Sequence, residues 1–160
     1  MASLPQTATL SNPATLVATG FGIGLLPRAP GTWGSLAALP VGWAIVHFLG
    51  VIGLALAVAV VFAVGWWAAQ TVSQQGDDAD PAAVVIDEVV GQWIVLLATP
   101  PEPLLYGLAF VAFRLFDIAK PFPVSWAERR FAGGLGIMAD DVLAAGYAVA
   151  VVLAVRWWLG

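Results

Sequence analysis

Positions 36 to 69 carry no aspartate, glutamate, lysine or arginine, and His47 is the only titratable side chain among them. So long an apolar run must be buried in protein or in lipid. As one helix rising about 1.5 Å per residue it would reach roughly 50 Å, well past a hydrocarbon core of about 30 Å. The sequence therefore predicts two helices, 36–49 and 54–69, that turn at Gly50-Val51-Ile52-Gly53. Trp33, Trp66 and Trp67 suit the interfacial aromatic belt. His47, between Val46 and Phe48, is expected to face the bundle and to be hydrogen-bonded there.

Composition extends this reading to the whole chain. Hydrophobic residues make up 61% and charged residues 10%, against roughly 45–50% and 25% in soluble domains. The chain reads as an integral membrane protein, and its 160 residues suit one domain. The net charge of −4 argues against nucleic acid as a partner, because a phosphate-tracking surface needs clustered Lys and Arg. With no cysteine and one histidine, disulfides, thiolate nucleophiles, zinc–thiolate sites and most imidazole chemistry are excluded. The N-terminal MASLPQTATLSNPATL lacks a charged n-region and a clear h-region, so no signal peptide is expected.

Residues 1–12 read as a flexible polar lead, and Asn12-Pro13 as the capped start of a short helix. GFGIGLLPRAPGTWGS, rich in glycine, reads as a loop. Asp80-Pro81 repeats the cap-plus-proline start, and the helix it opens would run through AAVVIDEVVGQWIVLLA to the TPPEP break, with Asp87 and Glu88 two turns in. Residues 104–116 form another apolar helix, ended by Pro121 and Pro123, and 142–159 form a last span. The expected architecture is an all-α multi-pass membrane bundle of about four to five hydrophobic helices. Crossings at 36–49, 54–69, about 85–98, 104–116 and 142–159 would return 1–35, 70–88 and 117–141 to one side. That side carries Arg28, Lys120, Arg129 and Arg130, and the positive-inside rule makes it cytoplasmic.

Nine of the ten carboxylates fall in two stretches, 77–88 and 117–141. Adjacent acids such as Asp87 and Glu88 repel one another and are costly near a membrane, and a bound cation relieves both problems. The available ligands are oxygens, which suit Mg²⁺, Mn²⁺ or Ca²⁺. The alternative is a solvated surface turn, which is the better reading for Asp77-Asp78. Asp140-Asp141 read either as a cap on the last span or as ligands. Gly133, Gly134 and Gly136 read as a tight turn or as a backbone cradle for an anion. Arg114 and Asp117, three apart, can pair, either structurally or within a site. Pro121 pushes Lys120 out of the helix toward the acids, where an ammonium could meet a phosphate ester. Thr32 and Ser35 read as helix caps or phosphate ligands, and Arg129 and Arg130 as orienting charges or contacts to anionic lipid.

Four segments, GFGIGLLPRAPGTWGSLAALP at 20–40, VVIDEVVGQW within 80–92, FRLFDIAKPFPVSW at 113–126 and GGLGIMADD at 133–141, resemble phosphatidylglycerophosphatase A, a family of bacterial membrane lipid phosphatases. The resemblance spans about residues 12–155. It implies Mg²⁺-dependent hydrolysis of phosphatidylglycerophosphate to phosphatidylglycerol and inorganic phosphate, by an all-helical bundle in the bacterial inner membrane. It implies a metal set of Asp80, Asp87, Glu88, Asp140 and Asp141, and catalytic roles for Asp87, Glu88, Asp117 and Asp141. Lys120, Thr32, Ser35, Arg114 and Arg129 would bind substrate, while Arg28 falls outside the motifs. Water attack and an aspartyl-phosphate intermediate both remain open. A small transporter is the competing class, but a permeation path needs polar residues spread through the spans, and here they gather at one face.

Overall fold

The computed structural model describes residues 8–75 and 81–160, with Glu128 described by its backbone alone. The described residues form helices and no strand. In order these are α1 (Pro13–Ala18), a 3-10 turn (Ile23–Leu25), α2 (Pro30–Ser73), α3 (Ile86–Leu97), α4 (Pro103–Ala119), α5 (Val124–Arg130) and α6 (Gly134–Leu159).

α2 is two arms that meet at Gly50, whose φ of 71° and ψ of −178° lie outside the helical region. Both arms reach the start of α3. A Cβ on Gly34 would lie 3.0 Å from Val85 Cβ, and one on Gly65 would lie 3.1 Å from Ile86 Cγ1. A straight helix would hold positions 34 and 65 about 46 Å apart, so the chain reverses at Gly50. The expected hairpin is present, with its reversal inside the predicted turn. Its first arm starts earlier than expected. PGTWGS is helical, because Pro30 occupies the first helical position with a preset φ, after Ala29 in the left-handed region at φ 48°.

α3 also departs from expectation. It opens at Ile86, after Val85, whereas the sequence suggested a start at Pro81. The backbone before it is claimed elsewhere, since Val85 N–H donates to Ala18 O at 2.8 Å and Val84 N–H to Pro81 O at 2.8 Å. At 12 residues α3 reaches about 18 Å, two residues shorter than the expected 85–98 segment. It is a core helix, burying Val90, Trp93, Val95 and Leu96, and Trp93 Nε1 donates to Ala38 O at 2.9 Å.

α6 packs on α2, α3, α4 and α5. Small residues line these contacts, among them Ala109, Ala144, Ala145 and Ala148, all fully buried, which lets backbones approach closely. Gly134 marks one such approach: a Cβ there would overlap the backbone of Gln70 and Trp66, and its N–H donates to Gln70 Oε1 at 2.8 Å. The Gly133-Gly134 pair thus starts a helix against α2.

By length and composition α2 and α6 can cross a membrane. The outer face is apolar, with Phe48, Ile52, Leu56, Val60, Val111, Leu115 and Trp157 exposed. His47 belongs to this face. It is exposed and stacks on Trp43 with ring centroids 5.0 Å apart, contrary to its expected inward position, because Gly42, Ile45 and Val46 take the core-facing positions of this arm.

Candidate active site

The first turn of α3, the C-terminal half of α4 and the second turn of α6 meet at one end of the bundle. Each contributes acids. Asp87 and Glu88 stand in the first turn of α3, where the helix dipole favours negative charge. They are therefore at a helix start, and not two turns inside a helix. Asp117 lies near the end of α4, and Asp140 and Asp141 lie inside α6, which begins at Gly134. The Asp pair thus caps nothing. All four aspartates are buried, Asp141 at 2% exposure and Asp140 at 5%.

Two overlapping carboxylate groups result. Asp87, Glu88 and Asp141 bring one oxygen each within 4.8 Å of one another, and so do Asp117, Asp140 and Asp141. Asp141 belongs to both. Among the described residues, two cations pair with acids of these groups. Arg114 Nη1 lies 2.8 Å from Asp117 Oδ2 and 3.8 Å from Glu88 Oε1, so the pairing predicted from the spacing of 114 and 117 is present. Lys120 Nζ donates to Asp140 Oδ2 at 2.9 Å. Lys120 ends α4 in the left-handed region at φ 44°, displaced from the helix before Pro121 as expected. The turn carrying it is pinned to α6, where Tyr147 O–H donates to Phe122 O at 2.6 Å.

These seven charged side chains line a cleft of about 280 Å³ walled by Ala29, Pro30, Gly31, Ala82, Val84 and Ile118. Among the described residues lining the cleft, five acids face two bases. Burial, eased by a hydrogen bond from Asp87 and by the Arg114 charge, pushes the Glu88 carboxyl up to about 7. Glu88 Oε2 and Asp141 Oδ2 are buried and accept no hydrogen bond. A hard divalent cation fits this donor set: the oxygens are carboxylates, they converge, and two of them lack partners.

The remaining predicted residues fall into distinct places. Ser35 is fully buried behind the cleft; its hydroxyl donates to Gly31 O at 3.0 Å and accepts from Arg114 Nη1 at 3.4 Å. It supports the arginine. Thr32 is half-buried in the first turn of α2 and does not line the cleft. Neither hydroxyl caps α2, whose cap position is Ala29. Arg129 is exposed on α5, away from the cleft lining, and Arg28 is likewise outside it. Asp80, together with Asp77 and Asp78, lies outside the described residues. Gly31 was not anticipated as part of the site. A Cβ on it would overlap the Glu88 carboxylate, and the only sequence signal was a glycine directly after the helix-starting Pro30.

Residues 16–156 match the family model described as "Phosphatidylglycerophosphatase A". The chain is similar to the Haemophilus influenzae protein named phosphatidylglycerophosphatase A, with 44% identity over 94% of this chain and 93% of that one. It is 42% identical to a Bacteroides thetaiotaomicron protein provisionally named phosphatidylinositol-3-phosphatase, over 91% of this chain and 94% of that one. An Escherichia coli phosphatidylglycerophosphatase A is 40% identical over 84% of this chain and 78% of that one. No solved structure matches with significance.

Proposed function

The chain belongs to the phosphatidylglycerophosphatase A family, a phosphatase family, and from that premise we propose that it hydrolyses phosphatidylglycerophosphate to phosphatidylglycerol and inorganic phosphate with Mg²⁺ as cofactor. The observation that carries this reading is the cleft itself. Five acids from three helices converge there on two cations, and Glu88 Oε2 and Asp141 Oδ2 have no partner.

Asp87, Glu88 and Asp141 would hold the cation. When bound, it would supply charge neutralisation at the phosphoryl oxygens and a lowered pKa for water. Lys120, already oriented by Asp140, would bind the phosphoryl oxygens and stabilise their charge during transfer. Arg114 holds Asp117 in place and offsets the negative field around Glu88. Asp117 would take the proton of the attacking water as its oxygen bonds to phosphorus. The phosphorus–oxygen bond to the glycerol then breaks, and the leaving alkoxide takes a proton from solvent at the cleft mouth. Thr32 and Arg129 do not line the cleft, and we assign neither a role in this step.

The lipid substrate sets the placement. We place the protein in the bacterial inner membrane as a multi-pass bundle, with the cleft on the cytoplasmic side. Apolar α2 and α6 support insertion. Arg28, Lys120, Arg129 and Arg130 cluster toward the cleft end, while Arg156 lies at the other end and donates to Ala98 O at 2.7 Å. The positive-inside rule then gives the orientation.

The name of the Bacteroides relative makes the head group the open choice, because a phosphomonoester on either lipid could enter the same cleft. Phosphate release from phosphatidylglycerophosphate and from phosphatidylinositol 3-phosphate, in matched micelles, separates the two. A higher kcat/KM on phosphatidylglycerophosphate is expected. Preference for the inositol lipid would overturn the substrate assignment while leaving the phosphatase in place.

A further inference from the structure

Gln92 is fully buried, and neither atom of its side-chain amide has a hydrogen-bond partner. A buried amide left unsatisfied costs about 1–3 kcal/mol per group, and an apolar side chain of the same size would avoid that cost. Two hydrophobic clusters pack along α3, one through Trp93, Val95 and Leu96 and one through Ile86 and Val90. The position of this amide in the fold points to its use.

Gln92 follows Glu88 by four residues on α3, so their side chains share one face, about 5–6 Å apart at Cβ. Glu88 in turn lies 3.8 Å from Arg114. Each of these two charged groups has one buried atom left over. Arg114 spends Nη1 on Asp117, Glu88 and Ser35, and its Nε is buried without a partner. Glu88 turns Oε1 toward Gly31 and Arg114, and its Oε2 is buried without a partner. The four orphaned atoms form a matched set: an N–H on Arg114 for the amide oxygen of Gln92, and the amide N–H of Gln92 for the Glu88 carboxylate.

We infer that Gln92 is a positioning residue, its amide linked to Arg114 Nε and Glu88 Oε2 through buried water, so that Glu88 presents its carboxylate to the cation. This rests on the cation-holding reading of Glu88. Outer-shell groups that orient a metal ligand are typically worth 10–100-fold in metal affinity.

The test uses full-length protein in detergent, with Mn²⁺ binding followed by its paramagnetic resonance signal and metal-free thermal melting measured in parallel. Gln92→Met keeps the volume and removes the amide. It is expected to melt no lower than wild type and to bind Mn²⁺ about 10–100-fold more weakly. Gln92→Asn keeps an amide but withdraws it by one methylene, and its affinity is expected to fall between the two. Wild-type Mn²⁺ affinity in either variant that folds overturns the inference and leaves the cation site standing. Failure of both variants to fold would make Gln92 a scaffold residue and also overturn it. A wild type that binds no Mn²⁺ would overturn the cation reading, and this inference with it.

Discussion

Lys120 Nζ donates to Asp140 Oδ2 at 2.9 Å, tying the end of α4 to α6 across the cleft mouth. This is the chain's only lysine, and its side chain is 28% exposed while that of its partner is 7% exposed. The ammonium can therefore reach an incoming anion without leaving its carboxylate. Lys120→Ala is expected to lower kcat for phosphate release about 10²–10³-fold, the usual loss when one charge-stabilising donor is removed. A change in KM alone would show that Lys120 only binds.

Gly31 is the second point of sensitivity. A methyl group there would overlap the Glu88 carboxylate, whereas one on Gly107 would meet nothing within 4 Å. Gly31→Ala should lower activity at least 10-fold and weaken the response to divalent cation, and Gly107→Ala should change neither. Equal behaviour of the two variants would show that Glu88 need not sit against α2.

Asp141 joins both carboxylate groups. Saturating Mg²⁺ at about 100 times its Kd should stabilise the wild type by about 2.7 kcal/mol through preferential binding to the folded state. Asp141→Asn should abolish that shift, and it should leave the metal-free protein as stable or more stable, because it removes a buried like charge. A full Mg²⁺ shift in Asp141→Asn, read by thermal melting in detergent, would exclude Asp141 as a ligand.

Much of this site was legible because charge in an apolar chain is costly and so marks its purpose. Asp87, Glu88, Lys120 and the Arg114–Asp117 pair follow from residue type and spacing. What was not legible depends on contacts distant in sequence. The start of α3 moved to Ile86 because Val85 N–H is bound by Ala18 O, which no local pattern reveals. Asp140 and Asp141 looked like caps because α6 was expected to start at 142, but Gly134 can start it against Gln70. Ser35 looked available to substrate, yet its hydroxyl is turned back to Gly31 O. His47 was expected inward because it is the one titratable group in a long apolar run, yet Gly42, Ile45 and Val46 take the core-facing positions of its arm. Gln92 and Gly31 carry no charge, so only packing exposes their roles.

Orientation is testable because the chain has no cysteine. Gln74, exposed just after α2 at the cleft end, and Glu102, exposed between α3 and α4 at the other end, offer two positions for a single thiol. In intact inner-membrane spheroplasts Gln74→Cys should react with an impermeant maleimide only after permeabilisation, and Glu102→Cys should react directly. The reverse pattern would place the cleft outside.

Phosphate release from phosphatidylglycerophosphate by the purified protein, measured for wild type and Asp141→Asn with Mg²⁺ and with chelator, bears most directly on the assigned chemistry. Release is expected only from wild type with Mg²⁺, with Asp141→Asn reduced by at least 10²-fold. Release that persists undiminished in chelator or in Asp141→Asn, or no release from wild type under either condition, would contradict a metal-dependent lipid phosphatase centred on this cleft.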